Sequence, residues 1–139
     1  MGLRRKSREI ALQFLFGLDV KGLSLDREAV EGELDRFCRN FATGKKSWPY
    51  ALQLIQGICT NREAIDRQLV RHSHNWRLER MSPVDRNILR IAVYEMQHEA
   101  EVPARVAINE ALEIAKQYSM PDSVAFINGI LDALQDDET

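Results

Sequence analysis

Residues 83–131 read PVDRNILRIAVYEMQHEAEVPARVAINEALEIAKQYSMPDSVAFINGIL, and this stretch predicts three consecutive helices. In each segment, apolar side chains recur at every third or fourth position, the spacing that places them along one face of an α-helix. Pro83, Pro103 and Pro121 mark the joints between the segments. Helices with apolar faces and short connections pack antiparallel, so we expect a compact helical bundle.

The spacing also predicts which side chains are buried. They are Ile88, Leu89, Ala92, Val93 and Met96 in the first segment, Ala107, Ala111, Ile114, Ala115 and Tyr118 in the middle one, and Val124, Ile127, Leu131 and Leu134 in the last. Gly129 predicts a close approach between helices.

The residues before this stretch predict four more helices and no strand, because no segment alternates with period two. The first helix is expected at about residues 5–20, and the second at about 26–41 with Asp26 as N-cap. The third is expected to begin at Pro49, and the fourth to be capped by Thr60 together with Glu63. The buried side of the first helix is expected to contain Ile10, Ala11, Phe14, Leu15, Phe16 and Leu18. Ser82 and Pro83 predict the start of the fifth helix. The fold class is therefore all-α, with about seven helices.

The composition predicts one cytoplasmic globular domain over residues 1–139. Apolar residues make up 45% and charged residues 29% of the 139 residues, which is typical of a folded domain. We find no run of about 18 apolar residues and no secretory signal. Cys38 and Cys59 lack CxxC spacing, so we expect reduced core cysteines.

Charge is distributed unevenly along the chain. The net charge is −2, yet residues 1–8 contain four cations and no acid, whereas residues 132–139 contain four acids and no base. The four cations are Arg4, Arg5, Lys6 and Arg8. A polyanion must therefore bind a local patch, and the alternative is a solvated, frayed terminus.

No catalytic or metal-binding motif is present. The sequence lacks GxSxG, HExxH and a GxGxxG after a strand, and His72 and His74 have no further ligands at suitable spacing. We therefore predict no enzyme activity, no cofactor and no metal. Asn109, Glu110 and Glu113 lie within a helix, and we expect structural hydrogen bonds there. Helical spacing places Asn109 and Glu113 on one face, with Glu110 turned away and Arg90 or Asn128 as candidate partners.

Several blocks resemble a known family. They are RRKSREIALQ at 4–13, DRNILRIAVYE at 85–95, VPARVAINEA at 102–111, EIAK at 113–116 and DSVAFINGIL at 122–131. Together they are similar to the NusB family of bacterial transcription antitermination factors. The likeness covers nearly the whole chain and is weakest between residues 20 and 50.

The resemblance implies two packed three-helix-bundle subdomains, at about 1–75 and 76–139. It implies binding of single-stranded boxA-type RNA from ribosomal RNA operon leaders, together with the ribosomal protein NusE. Other antitermination factors and RNA polymerase would be indirect partners. The implied RNA-binding residues are Arg4, Arg5, Lys6, Arg8, Asp122, Ser123 and Phe126, and the implied partner-binding residues are Phe16 and Asp85. Leu3 departs from the polar residues often found there.

Three alternatives stay open on the sequence. The chain could be an interaction scaffold or homodimer whose basic terminus is incidental, or a stand-alone relative of the RNA-binding module of an rRNA methyltransferase. Phe126 could stack a base or belong to the core. Four cations on a single strand predict a salt slope of roughly −3, so we expect weak RNA binding without a protein partner.

Overall fold

The structure, a computed structural model, describes residues 2–22, 27–39, 45–73 and 77–138. These residues form seven α-helices, two short 3-10 helices at Lys45–Ser47 and Leu78–Arg80, and no strand. The α-helices are α1 Gly2–Lys21, α2 Arg27–Arg39, α3 Trp48–Thr60, α4 Arg62–His72, α5 Pro83–His98, α6 Ala104–Tyr118 and α7 Pro121–Glu138. The predicted all-α fold is confirmed, whereas the division into two subdomains stays a prediction.

The helix starts agree with the sequence at α5 and differ at α4. Ser82 is the N-cap of α5, and its hydroxyl accepts a hydrogen bond from the Asp85 backbone N–H at 3.1 Å. At α4 the N-cap is Asn61 rather than Thr60. Because α3 extends to Thr60, its hydroxyl belongs to the last turn of α3, and the predicted capping box is wrong. Asp26, Phe41 and His74 lie outside the described residues.

Helix α5 is the centre of the fold. It packs against α1, α3, α4, α6 and α7. Every side chain from residue 87 to residue 95 is buried, so the single apolar face predicted for this helix is too narrow. A helix that is surrounded on all sides buries its polar residues as well, and these need partners.

Asp19 and Asp66 supply partners for the polar side of α5. Asp19 Oδ2 accepts from Asn87 Nδ2 at 2.7 Å and from Arg90 Nη1 at 3.1 Å. Arg90 Nε donates to Asp66 Oδ1 at 2.9 Å. Burial raises the pKa of Asp19, but Arg90, Asn87 and Arg86 outweigh it, so the pKa is lowered overall. This network joins the C-terminal part of α1 to α4 and α5.

Most of the predicted core is buried or, like Met96 and Val124, half-buried, but Tyr118, Phe16 and Cys38 are exposed. Tyr118 is 47% exposed because it lies on the last turn of α6, where its side chain lines a groove beside α1. Phe16 is 38% exposed in the same groove. Cys38 is exposed, so it is not a core cysteine. Gly129 faces open space and makes no close approach.

The close approach occurs at Gly57 instead. A Cβ at Gly57 would lie 2.2 Å from Cζ of Tyr94, so the α3 backbone contacts the α5 ring directly. Among the described residues, no helix is both long and apolar enough to cross a membrane.

Candidate nucleic-acid interface

The four cations of the first turns of α1 have different environments. Lys6 is exposed and forms no ion pair within the described part of the chain. Arg4 and Arg5 are half-buried, and Arg8 is 3% exposed. A helix turns by about 100° per residue, so cations that are adjacent in sequence point in different directions.

Arg5 is held by a carboxylate of α6. Its Nε donates to Glu110 Oε1 at 2.9 Å and its Nη2 donates to Glu110 Oε2 at 2.6 Å. The hydrogen bond and the charge of Glu110 raise the pKa of Arg5, and the hydrogen bond from Arg5 lowers the pKa of Glu110. This two-pronged pair fixes the direction of the guanidinium at the protein surface.

Arg4 makes looser contacts than Arg5. Its Nη2 donates to Glu101 Oε2 at 3.2 Å, and the side chains of Arg4 and Glu101 are 43% and 83% exposed. Its guanidinium carbon lies 4.8 Å from the centre of the Tyr50 ring. Exposed pairs of this kind contribute little to stability, so Arg4 can exchange Glu101 for another anion.

Arg8 is an interior residue. Its Nε donates to both Glu95 carboxylate oxygens at 2.9 Å, and its Nη1 donates to Glu110 Oε1 at 3.1 Å. The Tyr50 hydroxyl also donates to Glu95. Burial would lower the pKa of Arg8, but Glu95 outweighs it and the pKa is raised. Burial and the Glu95 contact together raise the pKa of Tyr50. Arg8 therefore fastens α1 to α5 and α6.

Glu95 and Glu110 are partners of the basic terminus that the sequence did not indicate. The helical spacing places Glu110 on a different face from Asn109 and Glu113, and the structure agrees: Asn109 and Glu113 are exposed, whereas Glu110 is half-buried. Glu110 lies at the seam with α1, and Glu113 pairs with Lys116 on the surface. The expected partner Arg90 binds Asp19 and Asp66 instead. A usable signal was present for Arg8, which shares the i, i+3, i+7 spacing of the buried Ala11 and Leu15.

Asp85 lies where α5 meets the joint between α6 and α7. It is buried, and its two carboxylate oxygens accept hydrogen bonds from the Ser119 and Ser123 hydroxyls, each at 2.7 Å. The structure thus brings Asp85 and Ser123 into direct contact. Asp122 is exposed beside them, and Phe126 is half-buried and packs against the core.

A groove of about 430 Å³ runs between α1 and the adjoining ends of α5 and α6. The side chains that line it include Lys6, Glu9, Gln13, Phe16, Val84 and Tyr118. The family resemblance implies RNA binding by Lys6 and partner binding by Phe16, and the two side chains line one surface. Val84 directly precedes Asp85, so the groove ends close to the α5 start.

This architecture defines the class: an all-helical protein in which a basic N-terminal helix packs on a central buried helix. The chain belongs to the NusB family, whose model matches residues 5–136. It is 47% identical to the "Transcription antitermination protein NusB" of Trichlorobacter lovleyi. The match extends over 135 residues and covers 97% of this chain and 92% of that protein.

Solved structures share the fold. The T. maritima NusB structure has a TM-score of 0.82 and 36% identity, and the match covers 96% of this chain and 91% of that one. A structure described as antitermination factors NusB and NusE in complex with dsRNA has a TM-score of 0.79 and 23% identity, covering 99% and 98%. At that identity the second match supports the fold alone.

Proposed function

We propose that this chain is a non-enzymatic transcription antitermination factor of the bacterial cytoplasm. It binds boxA-type RNA of ribosomal RNA operon leaders together with NusE and so promotes processive rRNA transcription. The observation that carries this proposal is the 47% identity to an antitermination protein over 97% of the chain. Contacts with other antitermination factors and RNA polymerase are indirect.

RNA phosphates bind the accessible cations at the start of α1. Lys6 is free to bind a phosphate, and Arg4 and Arg5 keep part of their guanidinium surface in solvent. Arg8 acts from the interior by positioning this turn of helix, since its Nε is bound to Glu95 and its Nη1 to Glu110. Three accessible cations give a salt slope of roughly −2 on a single strand.

Asp122, Ser123 and Phe126 complete the proposed RNA face at the start of α7. The exposed Asp122 carboxylate can accept hydrogen bonds from base amino groups. The Ser123 hydroxyl is engaged with Asp85, so its contribution to RNA binding is to fix the start of α7. Phe126 supports this turn from the core side.

NusE docks on the Phe16 side of the groove. Phe16 is a large exposed aromatic side chain next to Val84, and such anchors are enriched at protein interfaces. Asp85 shapes this surface by holding the joint between α6 and α7 through two serine hydroxyls. The two subdomains, about 1–75 and 76–139, would meet along α1 and α5, which pack together.

Fluorescence anisotropy with labelled boxA-type RNA tests the proposal, with a scrambled RNA of equal composition as control and with NusE present or absent. We expect weak binding alone and tighter binding with NusE. Lys6→Gln should weaken binding, whereas Lys116→Gln, which removes an exposed cation paired with Glu113 elsewhere, should not. Equal affinity for the two RNAs with NusE present would refute the proposal. A stable dimer by light scattering, without RNA binding, would support a scaffold instead.

A further inference from the structure

Tyr50 is an aromatic side chain of α3 to which the proposed function gives no role, yet it lies against two cations of α1. The guanidinium carbons of Arg4 and Arg8 are 4.8 Å and 6.0 Å from the centre of its ring. Cations at such distances are attracted to the face of an aromatic ring. The Tyr50 hydroxyl donates to the buried Glu95 carboxylate, which fixes the ring against α5. Tyr50 is therefore an ordered surface for the Arg4 guanidinium.

The two arginines differ in what else binds them. Arg8 is buried and is bonded to Glu95 and Glu110, whereas the only ion pair of Arg4 within the described residues is with Glu101. Glu101 belongs to the turn between α5 and α6, its side chain is 83% exposed, and it accepts a single hydrogen bond of 3.2 Å from Arg4. This carboxylate neutralises Arg4 and takes up one of its donors, as an RNA phosphate would.

The partner of Arg5 is held more firmly than the partner of Arg4. Glu110 is 12% exposed, accepts two hydrogen bonds from Arg5 and is also bonded to the buried Arg8. A polyanion displaces a single exposed carboxylate more easily than a bidentate one that is anchored from the interior. Arg4 is thus the arginine at the start of α1 whose carboxylate partner is exchangeable.

We propose that Glu101 is an internal competitor of RNA, which neutralises Arg4 in the free chain and gives way to a phosphate when RNA binds. The Tyr50 ring keeps the Arg4 guanidinium in position during this exchange, so Tyr50 is a positioning residue. The inference rests on the proposed function, because it describes how the same RNA strand gains one of the cations of α1. Glu101 lowers the affinity for RNA, and its removal strengthens binding.

The first test compares Glu101→Gln with Glu79→Gln in anisotropy titrations of boxA-type RNA at low salt with NusE present. Glu79 is the matched control, because it is an exposed acid on the Leu78–Arg80 3-10 helix and has no ion pair within the described part of the chain. Glu101→Gln should tighten RNA binding about two- to fivefold. Glu79→Gln, with the same change in net charge, should stay within about 1.5-fold of the natural chain. The gain in Glu101→Gln should shrink as salt rises, because salt screens an exposed ion pair.

A double-mutant cycle with Arg4→Gln shows whether Glu101 acts through Arg4. Arg4→Gln should weaken RNA binding and reduce the magnitude of the salt slope by about 0.7. Glu101→Gln should then have no further effect in the Arg4→Gln background, because no cation remains for Glu101 to neutralise. An equal gain from Glu101→Gln in both backgrounds would mean that Glu101 only repels RNA, and this would overturn the inference.

Tyr50→Phe and Tyr50→Leu test the role of the ring. Both variants lose the hydroxyl that donates to Glu95, and only Tyr50→Leu loses the aromatic face. Tyr50→Leu should bind RNA about two- to fivefold more weakly than Tyr50→Phe, and the difference should vanish in the Arg4→Gln background. Circular dichroism checks the fold, and Tyr50→Met replaces Tyr50→Leu if the latter fails to fold. Equal RNA affinity of the two variants would overturn the role assigned to Tyr50.

The outcomes separate this inference from the proposed function. If the natural chain shows no preference for boxA-type RNA over scrambled RNA, the proposed function fails and the inference fails with it. If the natural chain prefers boxA-type RNA and Glu101→Gln binds it no more tightly, the competitor role of Glu101 alone is wrong.

Discussion

Substitution of Arg8 by methionine, Arg8→Met, removes a guanidinium that is buried between α1, α5 and α6. Glu95 is 1% exposed and would lose two hydrogen bonds of 2.9 Å from Arg8 Nε, keeping the Tyr50 hydroxyl. Removing one partner of a buried ion pair leaves a desolvated charge and costs about 3–5 kcal/mol. A domain of this size is stable by about 5–15 kcal/mol, so the variant retains a small margin.

The assay is urea denaturation followed by circular dichroism, with thermal melting as a second reading. We expect a fall of about 3–5 kcal/mol in the free energy of unfolding and a melting temperature lower by about 10–20 °C. Lys6→Met is the matched control, because it removes a cation from the same helix turn at an exposed site and should change stability by about 0.5 kcal/mol or less.

A double variant, Arg8→Met with Glu95→Met, separates the lost charge pair from lost packing. Replacing both members of a buried pair by apolar groups is often nearly neutral, so the double variant should be more stable than Arg8→Met alone. An unfolding free energy for Arg8→Met within about 1 kcal/mol of the natural chain would refute the assigned interior role of Arg8.

Three further predictions concern packing and pH. Gly57→Ala should destabilise by about 1–3 kcal/mol, because its Cβ would lie 2.2 Å from Tyr94, whereas Gly129→Ala, which meets nothing within 4 Å, should stabilise α7 by up to about 1 kcal/mol; urea denaturation measures both. Ala111→Asp should cost several kcal/mol in thermal melts, because residue 111 is buried and an unpaired carboxylate there is desolvated. The lowered pKa of Asp19 means that the unfolded chain takes up its proton first as pH falls below the ordinary value of 3.8. Stability should therefore fall with pH from about there downward, less steeply in Asp19→Asn than in the natural chain.

Each of these predictions has a contrary result. Equal stability of Gly57→Ala and the natural chain would show that the Tyr94 ring can move aside. An unchanged melting temperature for Ala111→Asp would mean that the buried face of α6 is wrongly assigned. Identical pH dependence for Asp19→Asn and the natural chain would indicate that Asp19 has the same pKa in the folded and unfolded states.

The helices could be predicted because apolar spacing and capping residues are local signals. Ser82 and Pro83 mark the start of α5 within a few residues of sequence. The central position of α5 could not be predicted in this way, since periodicity detects only apolar side chains. Glu95 is buried because Arg8, 87 residues away, neutralises it, and local spacing does not specify such a distant pairing.

The candidate site was predictable as a region but not in its internal arrangement. The four cations are equivalent in composition, and only packing decides that Arg8 faces inward while Lys6 faces solvent. Tyr118 fits the apolar stripe of α6, yet it lies at the helix end, where the neighbouring helices no longer cover it. Burial of a residue at a helix end depends on which other helices pack beside it. The spacing of apolar residues along one helix carries no information about those neighbours.

The most direct test of the account is the salt dependence of boxA-type RNA binding by the natural chain and by a variant with Arg4, Arg5 and Lys6 all changed to glutamine. The account predicts that the variant binds more weakly and that the magnitude of its salt slope falls by roughly 2, with its circular dichroism spectrum unchanged. Equal affinity and an equal salt slope for the two proteins would contradict the claim that the start of α1 binds the RNA strand.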